Sequence, residues 1–155
     1  MEIRRAGLED IPELIRLLRQ VGQVHHDIRP ELFCDGAQKY NDQELKQILK
    51  DPSLPIFVAL EGAQVFGHCF CELKELGGGA LQPRRELYIH DLCVDEVCRG
   101  QHVGSQLYDY ALEFARELGC AYVTLNVWQG NDAAMAFYRK QGMQVRSITM
   151  ETKLQ

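Results

Sequence analysis

The sequence predicts a single α/β domain in which a mixed central sheet is flanked by helices. Three observations carry that expectation. Short β-rich apolar runs alternate with amphipathic stretches in the order β-α-α-β-β-β-α-β-α-β. The 155 residues, 46% hydrophobic and 25% charged, are enough for one domain with a real core. No repeat, low-complexity segment or linker divides residues 1–155 into smaller units.

Each element has its own signal. "EIRRA" (residues 2–6) alternates like a short strand. Asp10 then stands where it can cap a helix, with Glu13 at the reciprocal capping position and Pro12 in the first turn, where a missing N–H costs little. Ile11, Leu14, Ile15 and Leu18 form the buried stripe of that helix. "GQVHHDIRPELFCDGAQKY" reads as a polar connection, and "NDQELKQILKD" as a second short helix capped by Asn41 and ended before Pro52. "IFVALE" and "VFGHCFCELKEL" are strands joined by "EGAQ" as a hairpin, followed by a loose loop at Gly77, Gly78 and Gly79. "ELYIHDLCVD" is apolar over most of its length and so reads as a central strand. A helix with Val103, Leu107, Ala111, Phe114, Ala115 and Leu118 on one face comes next. "AYVTLNVW" is a further strand, "DAAMAFYRKQG" a helix ended by Gly142, and "QVRSITMETKL" an alternating final strand.

Composition excludes several function classes. A formal net charge of −5 argues against a nucleic-acid surface, which needs an excess of Lys and Arg. No apolar run approaches bilayer length, and "MEIRRAGLEDIPEL" lacks the uninterrupted apolar core of a signal peptide, so no membrane association is expected. Cys34, Cys69, Cys71, Cys93, Cys98 and Cys120 include no C-x-x-C pair, and several sit in apolar runs as small hydrophobes. A reduced, cytoplasmic protein is expected. His25 and His26 are adjacent and face different ways, with no ligand set at metal spacing, so no metal is expected.

The most informative stretch is "EVCRGQHVGSQLYDYALEFARELG", Glu96 to Gly119. A strand, a glycine-bearing loop and a helix N-terminus make an anion site, because first-turn N–H groups are unpaired and the macrodipole is positive there. Neither a Walker loop nor G-x-G-x-x-G is present: Gly100 and Gly104 have three residues between them, and Ser105 follows without a Lys. In "NDAAMAFYRKQGM", Asn131 starts a helix and Tyr138 lies two turns on, with a hydroxyl that needs a partner if buried. Phe137 reads as core.

Together the two stretches resemble the GNAT superfamily of acyl-CoA N-acyltransferases. Arg99, Gly100, Gln101, His102, Val103 and Gly104 match its Q/R-x-x-G-x-G/A cofactor motif. Asn131, Ala134, Phe137, Tyr138, Gly142 and Met143 match its later N-x-x-A-x-x-F-Y-x-x-x-G-F pattern, with Met for Phe at the end. Element order matches over essentially the whole chain. His102 departs from the usual glycine, and if φ is positive there a histidine is strained.

The resemblance implies acetyl-CoA as cosubstrate, with Leu92, Cys93 and Val94 offering backbone groups to the pantetheine. It places the pyrophosphate on the Gln101–Ser105 amides, Asn131 on the pantetheine arm and Tyr138 at the thioester sulfur. The amine attacks the thioester directly, without an acyl-enzyme; Cys93 has no visible base. An alkylamine of pKa about 10.4 is neutral in only roughly one molecule in a few thousand at pH 7, so a carboxylate is needed to take the proton. Asp91 in "YIHDLCV" stands where many members carry an acid and is the first choice; Glu86 and His90 are alternatives. Tyr138 can donate a proton to the departing thiolate, and a backbone N–H of residues 92–94 can stabilise the oxyanion. The expected function is acetylation of a primary amine. A catalytically weak acyl-CoA sensor and a protein or peptide N-acetyltransferase are the alternatives, and homodimers are common among such proteins. The acceptor wall is expected from the "HHDIRPELF" loop and a 76–86 loop, with Asp27, Glu31, Phe33 and Glu86.

Overall fold

A computed structural model describes residues 1–155. The elements are β1 (Glu2–Arg5), α1 (Ile11–Ile28), α2 (Asp42–Lys50), β2 (Ile56–Glu61), β3 (Gln64–Gly78), β4 (Leu81–Val94), α3 (Val103–Glu117), β5 (Tyr122–Leu125) and α4 (Asp132–Lys140). The strands form one sheet in the order β1-β2-β3-β4-β5, antiparallel except for the parallel β4–β5 pair. The mixed α/β architecture read from the sequence is the one observed.

Strand alternation sends side chains to two separate cores. Ile56, Val58 and Leu60 of β2 meet Ile11, Leu14, Leu17 and Leu18 of α1 and Leu45 of α2. Phe57 and Ala59 point the other way and join Leu87, Ile89 and the α3 face Val103, Leu107, Ala111 and Ala115. α1 and α2 therefore cover one face and α3 the other. α4 lies on the α3 side with Phe137 and Tyr138 packed against that core, although none of its residues is fully buried.

Four expectations need correction. α1 does not stop near Val21 but runs to Ile28, so His25 and His26 lie in its last turn rather than in a loop. Asp10 does not cap α1 with its side chain: its carboxylate accepts from Gly7 N at 2.8 Å and from both Nη atoms of Arg4 at 2.7 and 3.1 Å. Glu13 is drawn instead to Arg16 and to Val65 N. The supposed 76–86 loop is the end of a long hairpin, with Leu76 opposite Arg84 and Gly78 opposite Leu81. Finally, residues 144–155 form no strand; all of them are exposed. The capping box of α2 matches expectation, Asn41 Oδ1 accepting from Glu44 N at 2.8 Å and Glu44 reaching back to Asn41 N at 3.1 Å.

Candidate active site

The site forms where two parallel strands part. β4 and β5 are paired from Glu86↔Tyr122 to Ile89↔Leu125, and there the ladder ends. β4 continues to Val94, held on its other edge by β3 through Cys69↔Leu92, His68↔Cys93 and Gly67↔Val94. The edge of residues 90–94 that faces β5 is consequently without a strand partner. A register shift at Phe70/Cys71 leaves His90 as the extra residue of a bulge, which bends β4 where the ladder ends.

The N-terminus of α3 stands at the far end of this opening. Asp95 starts the connection, accepting from Val97 N at 3.2 Å and from Arg16 Nη1 at 2.5 Å; the guanidinium holds its carboxyl below the usual range despite burial. Gly100 has φ +82° and His102 φ +64°, the one non-glycine residue in the left-handed region. The first-turn amides of Val103, Gly104 and Ser105 have no acceptor in the chain, and no side chain caps the helix. Gly104 sits in a close contact: a Cβ there would lie 3.3 Å from Phe137 Cζ and 3.4 Å from Val94 Cγ2, so these side chains would have to give by a few tenths of an ångström. This residue lets α3 sit close to both β4 and α4. Gln141 Nε2 donates to Ser105 Oγ at 3.0 Å and ties α4 to the same turn. Arg99 and Gln101 are exposed beside it.

Asn131 caps α4, its Oδ1 accepting from Ala134 N at 3.2 Å, which leaves the side-chain amide N–H groups for a ligand. The Tyr138 ring packs edge-on against Phe137 at 5.1 Å, and its hydroxyl has no hydrogen-bond partner in the chain. Burial, with the Asp91 charge adding to it, pushes the Tyr138 phenol up and keeps it protonated. Cys93 is buried and its thiol is pushed up to about 12, so it is no nucleophile at neutral pH.

Asp91 is buried at 8% exposure, and it is not alone. Lys39 Nζ, from the segment between α1 and α2, donates to Asp91 Oδ2 at 3.0 Å. The sequence reading missed this lysine because 52 residues separate the partners and no local spacing marks them. It also missed the Arg16–Asp95 pair for the same reason. His90 Nε2 lies 2.8 Å from Glu72 Oε2 and is engaged there. Glu86 sits at the closed end of the β4–β5 ladder, bound by Arg146 at 2.7 Å, Arg84 at 2.5 Å and the Thr124 hydroxyl at 3.4 Å. Of the proposed acceptor-wall residues, Phe33 packs between His25 at 5.0 Å, tilted, and Trp128 at 5.3 Å, edge-on. Glu31 pairs with Arg29, and Asp27 accepts from Gln23.

Residues 21–143 match the family model described as acetyltransferase (GNAT) family. The chain belongs to that family. Among its relatives, the thialysine N-epsilon-acetyltransferase of Bos taurus is 35% identical, over 92% of this chain and 83% of the relative. The peptidyl-lysine N-acetyltransferase YjaB of Salmonella typhimurium is 29% identical, over 94% of this chain and 84% of that one. Longer relatives also match: the chain spans 45% of an N-acetyltransferase from Methanocaldococcus jannaschii and 41% of a chloroplastic one from Arabidopsis thaliana. A crystallised mutant of the BH1408 protein from Bacillus halodurans superposes with a TM-score of 0.95 at 27% identity, each chain covered in full. The sheet and helices from β1 through α4 are arranged as in the GNAT fold.

Proposed function

We propose that this GNAT chain transfers the acetyl group of acetyl-CoA to a primary amine at the end of an unbranched chain, by direct attack in a ternary complex. The observation that carries the reading is the parted β4–β5 edge leading to unfilled first-turn amides of α3. Backbone groups of Leu92, Cys93 and Val94 would bind the pantetheine as an added strand binds a sheet edge. The amides of Val103, Gly104 and Ser105 would take the pyrophosphate, with Gln101 and His102 lining the same turn and Arg99 adding charge. Asn131 would bind the pantetheine arm through its free amide N–H groups.

Asp91 would receive the acceptor. Lys39 supports this, because an alkylammonium already occupies that carboxylate at 3.0 Å. The names of the relatives, for thialysine and for peptidyl-lysine, fit an amine of the same form. Asp91, directly or through water, would draw off the proton as the amine attacks, and a 92–94 N–H would hold the oxyanion. Tyr138 would give its proton to the departing thiolate, since the raised phenol is protonated whenever the thiol leaves. Glu86, closed in by Arg84 and Arg146 at the other end of the ladder, is the weaker base candidate.

The test is CoA release across a panel of diamines, lysine analogues and lysine peptides. Tyr138→Phe should lower kcat by about 10²-fold or more and leave acetyl-CoA affinity within a few-fold, because the hydroxyl matters as the thiol departs. Equal turnover in both proteins over the pH range would remove Tyr138 from the acid role. Tight CoA binding with no acceptor acetylated would favour the sensor reading.

A further inference from the structure

Lys39 is the one lysine of six that bonds to a candidate catalytic group. Its Nζ donates to Asp91 Oδ2 at 3.0 Å, one residue before the open 92–94 edge of β4. Of the others, Lys46 pairs with Asp42 on α2, Lys74 lies over the Tyr88 ring at 4.2 Å, and Lys50, Lys140 and Lys153 are exposed. Asp91 is the cross-strand partner of Phe70, which belongs to the core under α1, so the carboxylate looks toward that face. Tyr138 packs on the α3 side. The lysine and the phenol therefore stand on opposite faces of β4, one where an amine would attack and one where a thiol would depart.

The segment that carries Lys39 is anchored on both sides of it. Gly22 of α1 admits the backbone of Ala37, since a Cβ there would lie 2.5 Å from the Ala37 carbonyl oxygen. Arg19 Nε donates to Gln38 Oε1 at 3.1 Å, and Gln38 Nε2 donates to the Tyr40 carbonyl at 2.8 Å. The Tyr40 ring stacks on Phe70 at 5.8 Å, and Phe70 is directly opposite Asp91 in the ladder. The Lys39 ammonium also lies 5.5 Å over the Tyr40 ring. An amine held beside the reacting centre needs no bimolecular encounter, which is the largest advantage an intramolecular nucleophile has.

We propose that Lys39 is a modification site of the chain's own active centre, acetylated in cis when acetyl-CoA is bound. The proposal rests on the roles given above to Asp91 and Tyr138. The Lys39 ammonium gives one proton to Asp91, directly or through water, and that proton passes to solvent. The freed lone pair attacks the thioester carbonyl; the amide C–N bond forms as the C–S bond breaks. The departing thiolate takes the proton of Tyr138, and the second proton lost by the nitrogen restores the phenol. Each chain thus consumes one acetyl-CoA and releases one CoA thiol and one proton. Burial disfavours the Lys39 charge, but the Asp91 carboxylate more than offsets it, so the amine stays protonated until Asp91 takes the proton. Acetylation removes the charge that pairs with Asp91 and leaves that carboxylate open to a free amine.

The test incubates the full chain with acetyl-CoA, with and without a small diamine, and follows every lysine by peptide mass spectrometry. Lys39 should gain one acetyl group at least about tenfold faster than any of the other five lysines, which report uncatalysed transfer. Its rate constant should stay the same as the chain is diluted, as an intramolecular step requires. Asp91→Asn should slow Lys39 by about 10²-fold and leave the other five as they were. At full acetylation the KM for the diamine should fall by about fivefold, and an unchanged KM would overturn the freeing of Asp91. If the diamine is acetylated while Lys39 reacts no faster than the other lysines, or at a rate that scales with chain concentration, this proposal is wrong and the proposed function stands. If neither the diamine nor Lys39 is acetylated, both are wrong. These outcomes are read on the unsubstituted protein, whether or not the variant folds.

Discussion

At the level of single residues, Asp91 carries the largest assignment, and Lys39 changes how it must be read. A carboxylate 3.0 Å from an ammonium is not a free base in the unliganded protein; an arriving acceptor must displace that lysine. Lys39 is 44% exposed at its side chain, so the pair is worth about 1 kcal/mol. Lys39→Ala should then lower KM for a small amine by about fivefold with little change in kcat, read from steady-state kinetics. Asp91→Asn should instead lower kcat, most strongly at low pH where neutral amine is scarcest, with CoA affinity retained. An unchanged rate in Asp91→Asn beside a crippled Glu86→Gln would move the base to Glu86. Asp91 was legible as a candidate because it lies within an apolar strand inside a recognisable pattern. Lys39 was not, since ion pairing between distant segments leaves no trace in spacing.

At the level of elements, the turn into α3 holds two opposed demands. His102 at φ +64° is strained, since a left-handed non-glycine residue costs about 1 kcal/mol or more. Part of that returns as unfolded-state entropy when glycine is introduced, so His102→Gly should raise stability by up to about 1 kcal/mol and keep CoA binding. Gly104→Val should do the reverse. Its first carbon would already press Phe137 at 3.3 Å, and the added methyls should cost about 1–3 kcal/mol and push α3 away from β4. Thermal melts and CoA titrations of the two variants read both effects. The strain at His102 could be posed from the sequence, because the family pattern marks the position; its φ could not. Periodicity located each helix and strand through α4, but not the last turn of α1, its N-terminal cap or the far ends of β3 and β4, and the last strand was not realised. A period-2 pattern states which face is apolar, not whether a neighbouring strand exists to pair with.

At the level of the whole molecule, the buried face under α1 sets the response to acid. His68 is fully buried, neither ring nitrogen has a hydrogen-bond partner, and burial holds its pKa at about 4 against the usual 6.5. The unfolded chain therefore binds a proton between those values that the folded chain refuses, so stability is intact above about pH 6.5 and falls as pH drops toward 4. The loss approaches about 3 kcal/mol, and His68→Leu should flatten that slope in melts recorded from pH 7 to pH 4. The central claim is that the opening between β4 and β5 runs into the first turn of α3 and holds acetyl-CoA by backbone. Two-dimensional NMR of the amides tests it most directly, with CoA compared against pantetheine. The account predicts that pantetheine perturbs residues 92–94 and Asn131 but not the turn into α3, whereas CoA also moves Val103, Gly104 and Ser105 and slows their exchange. CoA binding that leaves those three amides unmoved would contradict it.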